Sequence, residues 1–365
     1  MDRWAIDIDR ADITRATLVE EPAAELPDGA VEVAVELVAM TANNITYAAL
    51  GNPSGLFGND TGYWDFFAER DAPGRLPVWG FATVTRSALP DLPVGERIYG
   101  YWPLASHAVL EPERIRPSGF VDGTERRRTL PSLYNRYQRT AGLDGHDPAD
   151  DAYWPVFRPL HLTGWLIADQ LEAAGFHAAA QVLVTAASSK TALGFAHSLR
   201  ELPERPELVA LTSPASVPLL ERIGYYDGIV TYDAVASLPQ RPTVLVDIAG
   251  NPAVVRAVHE RFGDDLALSL VVGKAHWDAA DDGAQPLPGP RRTGFFAPGQ
   301  IEKRSADLGA AELRNRMDAG WRSFMRDVRG LTRLDERHGA DAALAAYGDA
   351  VAGRADPAVS VLLRP

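Results

Sequence analysis

Residues 161–201 read HLTGWLIADQLEAAGFHAAAQVLVTAASSKTALGFAHSLRE. Apolar side chains recur at helical spacing over 161–176 and run out beside Gly175. Residues 179–187 (AAQVLVTAA) then form a largely apolar run without polar alternation, as a strand covered on both faces requires. The polar step SSKT follows, and helical spacing resumes over 190–201. Helix, buried strand, short loop and helix is the unit from which parallel sheets are wound, because parallel neighbours need a long crossover that covers the sheet.

The alternation continues downstream. ELVALTS (207–213), GIVTY (228–232), TVLVDIAG (243–250) and DLALSLVVG (265–273) read as strands. VPLLERIG (217–224) and PAVVRAVHERFG (252–263) read as helices stopped by glycine, the second with proline near its start. A doubly wound parallel α/β sheet is predicted here. Upstream, VEVAVELVA (31–39) alternates as a half-buried strand does, and Met40–Gly51 reads as a turn and a short helix. PVWGFATVTRS (77–87), RIYGYW (97–102) and SHAVLEPERI (106–115) are further short strands between Pro/Gly turns, which predicts a small, irregular β-barrel over the first ~120 residues. The polar, aromatic-dotted segment 121–158 reads as an inserted loop that lids or braces a cleft. Residues 278–292 read as a loop, 309–328 as a helix, and 340–365 as a helix, a turn and a final strand.

Composition removes several classes of function. The 365 residues contain no cysteine, so disulfides, thiolate nucleophiles and Cys-ligated zinc are excluded. A formal net charge of −13 disfavours nucleic acid as a partner. The one dense basic run, Arg126-Arg127-Arg128, reads as a solvated face. The charged opening MDRWAIDIDR is unlike a signal peptide, and no apolar stretch reaches the ~18 residues of a membrane span, so a cytoplasmic protein is expected. No nucleophile elbow with Ser, His and Asp is present, and SSKT lacks the upstream glycine of a Walker loop.

Order and spacing resemble the medium-chain dehydrogenase/reductase superfamily, nearest its zinc-free quinone and enoyl reductases. The resemblance rests on VEVAVELVAMTANNITYAALG, on the block from PVWGF to PERI, on LTGWLIADQLEAAGFHAAAQVLVTAASSKTALGFAHSL and on the tail AYGDAVAGRADPAVSVLLRP. Within the superfamily, ANNITY, SSKTA and FFAPGQIEKR resemble a related family of unknown function. The resemblance implies a GroES-like catalytic domain (1–160 and 305–365, with 121–158 inserted) and a Rossmann-type nucleotide-binding domain (161–304). It also implies NADP(H) as cofactor, a small-molecule substrate (a ketone, quinone or activated double bond) reduced in the interdomain cleft, no zinc, and a homodimer.

This chain departs from the superfamily's pattern at the nucleotide loop. Ser189, Lys190 and Ala192 stand where such reductases carry glycine, and each Cβ pushes a phosphate away from the backbone. Hydroxyls and an ammonium at a helix N-terminus are anion ligands in their own right. Two readings follow. In one, Ser188, Ser189, Lys190 and Thr191 cradle a phosphate, with Thr212, Ser213 and Ala249 at the ends of the next strands completing the cofactor site. In the other, Ser188 caps the helix, Lys190 is solvated, and the protein is non-catalytic or binds another anion such as a coenzyme A or acyl-phosphate group. The second strand ends in Thr212 and Ser213 without the acid that binds a ribose diol, which favours NADP over NAD.

For chemistry, the turn Thr41–Tyr47 is the natural supplier: Asn43 or Asn44 to polarise an oxygen, Tyr47 to donate a proton, and Tyr101 alongside. The alternative is that both asparagines satisfy turn backbone and Tyr47 is core. Phe295, Phe296, Gln300 and Lys303 are candidates to close the site from the Rossmann side. Asp247 ends a parallel strand, where ligands collect, with no partner evident. His107 reads as a hydrogen-bonded wall residue, and His161, His177, His197 and His259 as ordinary helix residues, partly buried or at the surface.

Overall fold

In the second half of the chain, runs of Val, Leu and Ala with no polar alternation build a parallel sheet buried on both faces. A computed structural model describes residues 3–23, 25–53, 55, 57, 59–143, 145–248, 250–273 and 286–365. Two compact units result: residues 157–332, and residues 1–156 with 333–365.

The six strands of the 157–332 unit are Gln181–Val184, Glu207–Thr212, Gly228–Thr231, Thr243–Asp247, Leu266–Val271 and Thr293–Gly294. They lie in the order third, second, first, fourth, fifth, sixth, all parallel. The chain thus winds in opposite directions from the gap between the first and fourth strands, and the carboxyl ends there form a topological switch point. Leu183, Val209, Leu211 and Leu245 pack under Val254, Val258 and Phe262 of the helix Pro252–Phe262.

Helix Trp154–Ala173 begins seven residues before the predicted start at His161. Pro155 and Pro159 hid its first turns, since proline reads as a helix boundary although its ring is tolerated near a start. This helix crosses Lys190–Arg200 at backbone distance: a Cβ on Gly164 would lie 2.3 Å from the Phe195 nitrogen. The close crossing buries His161, which is 1% exposed against Phe324 and Trp321, and among the described residues its Nε2 has no hydrogen bond. His197 and His259 are buried as well, and His177 is exposed in a left-handed turn, so three of the four expected ordinary helix histidines are interior groups. Gly164 and Gly194 at the crossing bring His161 inside, while His259 is held by the Pro288 carbonyl and Ser269 Oγ.

Burial, then the nearby positive charge of Arg158, pushes the His161 pKa well below its ordinary value. The unfolded chain binds a proton at about pH 6.5 while the folded chain does not, so stability is full above that pH and is lost as pH falls through it. Denaturant midpoints are expected to drop between pH 7.5 and 5.5. His161→Gln should remove part of that slope, up to ~1.4 kcal/mol per pH unit for one proton; an unchanged slope would show that His161 does not titrate this way.

In the other unit, Val31–Met40 lies at the centre of a nine-stranded sheet. Pro77–Ser87 pairs with it on one side, and Val359–Arg364 and His107–Leu110 pair on the other. Beyond Pro77–Ser87 come Arg97–Pro103, Arg136–Arg139, Gly119–Asp122 and Pro112–Arg116, and Arg333–His338 lies parallel beside Val359–Arg364. A small second sheet joins Ala16–Glu20, Trp4–Ile8 and Gly74–Arg75. Gly80 lets the central strands touch, since a Cβ there would lie 2.0 Å from the Leu37 carbonyl oxygen.

The segment 121–158 is not a free loop. It supplies the strand Arg136–Arg139, stacks Tyr137 on Phe120 and buries Arg127 against Asp122. Arg127 therefore corrects the reading of 126–128 as a solvated face; only Arg128 of the three is well exposed. Among the described residues no helix is long and apolar enough to cross a membrane.

Candidate functional site

At the switch point, the first strand leads into Thr185-Ala186-Ala187-Ser188-Ser189-Lys190. Ala186 adopts φ +47°, a left-handed conformation that glycine takes without strain. The loop turns its amides inward. Ala186 N–H donates to Tyr232 Oη at 3.1 Å, Ala187 N–H to the Leu211 carbonyl at 3.4 Å, and Ser189 N–H to the Ala186 carbonyl at 2.8 Å. Tyr226 Oη donates to the Ala187 carbonyl at 2.6 Å. Ser189, not Ser188, caps the helix Lys190–Arg200, its Oγ accepting from Ala192 N–H. Ser188 Oγ instead lies 3.3 Å from Ser216 Oγ, which lies 3.3 Å from Ser213 Oγ. Lys190 occupies the first helical position and is half-buried; Thr191 and Thr212 are buried beside the loop and at the end of the second strand.

The structure thus groups Ser188, Ser189, Lys190 and Thr191 on one loop and helix start, with Ser213 joined to them by hydroxyls. Ala249 lies outside the described residues. Asp247, partnerless in the sequence, has three donors among the described residues. Thr185 Oγ1 (2.8 Å) and Gly250 N–H (3.0 Å) bond Oδ1, and Arg292 Nη2 (2.6 Å) bonds Oδ2. Arg292 was missed because it ends a stretch that reads as a loop, and nothing local links it to residue 247. Phe295 N–H extends the ladder to the Val271 carbonyl, Phe296 precedes helix Ala297–Leu308, Gln300 is buried there and Lys303 is exposed.

In the 1–156 unit, Thr41 and Asn44 form a capping box at the start of helix Ala42–Ala49. Asn44 Oδ1 accepts from Thr41 N–H (2.7 Å) and Thr41 Oγ1 (3.0 Å), and its Nδ2 donates to the Pro77 carbonyl (3.0 Å). Asn44 is therefore a brace, with its acceptor filled. Asn43, one turn before Tyr47, and Tyr101 both interact with the Tyr47 hydroxyl, which accepts from Trp79 Nε1 at 3.3 Å.

Tyr47 is 5% exposed within a cluster of Tyr63, Phe66, Tyr101, Leu130 and Tyr134. Tyr63 and Tyr134 share a hydroxyl contact at 3.2 Å. The Tyr101 ring stands edge-on to Tyr47 with centroids 5.6 Å apart, and its hydroxyl is buried without a hydrogen bond of ordinary geometry. Burial first, and the neighbouring phenols second, raise the pKa of Tyr47, Tyr63 and Tyr101; burial also raises that of Tyr134. The four phenols stay protonated, so the cluster can donate hydrogen bonds or a proton but cannot serve as a base. Tyr63, Trp79 and Tyr134 were not singled out as site residues; alternating aromatics at 79, 99 and 101 were the available signal.

His107 Nδ1 lies 2.9 Å from Ser106 Oγ, and burial lowers its pKa. Among the described residues no three His, Asp or Glu side chains stand together as a metal would require.

Residues 38–356 match the sequence family described as "Protein of unknown function (DUF2855)". No curated protein sequence matches the chain. Among solved structures, the chain is similar to CurA from Vibrio vulnificus in complex with NADPH, at 11% identity and TM-score 0.64, with 99% of this chain and 98% of that one covered. It is similar to the yhdH oxidoreductase from Salmonella enterica in complex with NADP, at 18% identity and TM-score 0.52, with 99% of each covered. A mutant enoyl thioester reductase from Candida tropicalis aligns over 100% of both chains, at 12% identity and TM-score 0.58. The fold is that of the medium-chain dehydrogenase/reductases, a GroES-like domain with a Rossmann-type domain.

Proposed function

We propose that this chain, which belongs to the family of that description, is an NADP(H)-dependent oxidoreductase that reduces a ketone, quinone or activated double bond without zinc. One observation carries the reading. The carboxyl edge of the sheet presents hydroxyls and cations, and the second strand ends in Thr212 and Ser213 where a diol-binding acid would repel a 2′-phosphate. The residues fit the cofactor through side chains. Ser188, Ser189, Lys190 and Thr191 would hold its phosphates at the start of the 11-residue helix, whose dipole favours an anion. Among the described residues the buried Arg292 Nε has no partner, which makes it a further donor in want of an acceptor.

When bound, NADPH supplies the hydride. Tyr47 donates the proton to the substrate's oxygen or carbanion, and Asn43 and Trp79 fix the direction of its hydroxyl. The surrounding rings exclude water, which strengthens each polar contact.

The inward-turned amides favour a second reading, in which the same edge takes the phosphates of coenzyme A or an acyl phosphate and no hydride moves. Calorimetric titration with NADPH, NADH and coenzyme A separates the two. Saturable binding of NADPH, at least tenfold tighter than NADH, is expected. Lys190→Ala should weaken it about tenfold or more, since a hydrogen bond to a charged group contributes ~1.5–3 kcal/mol. Binding of coenzyme A alone would replace the first reading with the second.

A further inference from the structure

We infer that Arg292 is a phosphate-binding residue at the switch point, held in place by Asp247, and that it supplies the anion contact the altered loop amides withhold. The inference deepens the NADP(H) reading and rests on it for the identity of the natural ligand.

Four observations support it. Asp247 ends the fourth strand and Thr185 follows the first, so their 2.8 Å hydrogen bond bridges the two strands between which the winding reverses. The polar chain continues on both sides: Tyr232, after the third strand, takes the Ala186 N–H, and Arg292, just before the sixth, reaches Asp247. Arg292 is thereby anchored where ligands collect in such sheets.

Second, its guanidinium is only partly used. Among the described residues Nη2 bonds Asp247, while Nε is buried without a partner. A guanidinium offers five N–H groups in a planar fork suited to a phosphate's paired oxygens. The side chain is 31% exposed, which leaves part of the fork open to solvent and ligand.

Third, Asp247 does not repel the anion as a bare carboxylate would. It is 0% exposed and its oxygens already accept from Thr185, Gly250 and Arg292. Its role is to position Arg292. Fourth, the loop that would normally offer amides to a pyrophosphate has those of Ala186, Ala187 and Ser189 bonded within the chain. Arg292 offers a side-chain donor in place of those three amides.

The test is calorimetric titration of the full chain with inorganic pyrophosphate and with NADPH. Arg292→Lys keeps the charge beside Asp247 but removes the fork, and should remain folded. The expected result is saturable pyrophosphate binding by the unaltered protein and a loss of tenfold or more in Arg292→Lys. Should that variant fail to fold, the double variant Asp247→Asn with Arg292→Gln removes both charges of the pair together and is expected to show the same loss. Undiminished binding in a folded variant overturns the inference, and so does an unaltered protein that binds neither pyrophosphate nor NADPH. Pyrophosphate binding that depends on Arg292, in a protein that ignores NADPH, would uphold the inference and overturn the NADP(H) reading.

Discussion

Arg127→Ala is expected to cost about 3–5 kcal/mol of stability, the range for removing one member of a buried ion pair. Arg127 is 2% exposed and Asp122 1%. The guanidinium bonds Asp122, donates to the Phe66 carbonyl at 2.6 Å and the Tyr137 hydroxyl at 3.1 Å, and stacks 4.5 Å over the Phe67 ring. Asp122 Oδ1 meanwhile accepts from Glu111 N–H, Thr124 N–H and Thr124 Oγ1 at 2.8 to 3.1 Å. With Arg127 removed, the buried Asp122 loses its counterion. Replacing both partners by apolar residues should cost far less than the sum of the single changes, because the pair's own desolvation is relieved at the same time. Denaturant unfolding of the two single variants and the double measures this. A single-variant cost below ~1 kcal/mol would mean the pair is effectively solvated. The pair also bears on function, since Phe66 and the segment holding Tyr134 form two walls of the phenol cluster.

Tyr47→Phe should lower kcat by about 10²–10³ while leaving NADPH affinity and KM within a few-fold, on whichever of a panel of enones, quinones and ketones is turned over best. A positioned proton donor contributes typically 10²–10⁴-fold, and the phenyl ring keeps the packing. The stability cost should be near 1 kcal/mol, because the change leaves Trp79 Nε1 without its acceptor. Tyr101→Phe is the comparison: its hydroxyl interacts with that of Tyr47 but, among the described residues, has no hydrogen bond of ordinary geometry, so the same change there should be milder. Equal effects at both positions would mean the cluster acts only by packing. Since burial keeps Tyr47 protonated, the rate should not fall on the alkaline side of neutrality through this residue.

Much of the fold was legible because it rests on periodicity. The run 179–187 and the helical spacing of 190–201 differ in a way that only a buried strand and an amphipathic helix explain, and the strand Gln181–Val184 and helix Lys190–Arg200 follow. Gly224, in the left-handed conformation, ends its helix where the sequence stops it. The site was legible only in part. The loop 188–191 is a candidate from its place after a strand, and Tyr47 from its turn, but which of Asn43 and Asn44 stays available was not local. Asn44 is consumed by Thr41 and by Pro77, 33 residues away.

The residue sequence by itself determined where helices and strands alternate and that no cysteine chemistry operates, since spacing and composition act on the nearest neighbours along the chain. Tertiary structure decided which polar groups lost their water. Arg127 sits in a basic run that any local reading solvates, and becomes interior because Asp122, Phe66 and Tyr137 converge on it. Asp247 and Arg292, 45 residues apart, meet because the fourth strand and the start of the sixth end at one edge. A charge's cost and use depend on the dielectric and the partners around it, and those are properties of the packed chain.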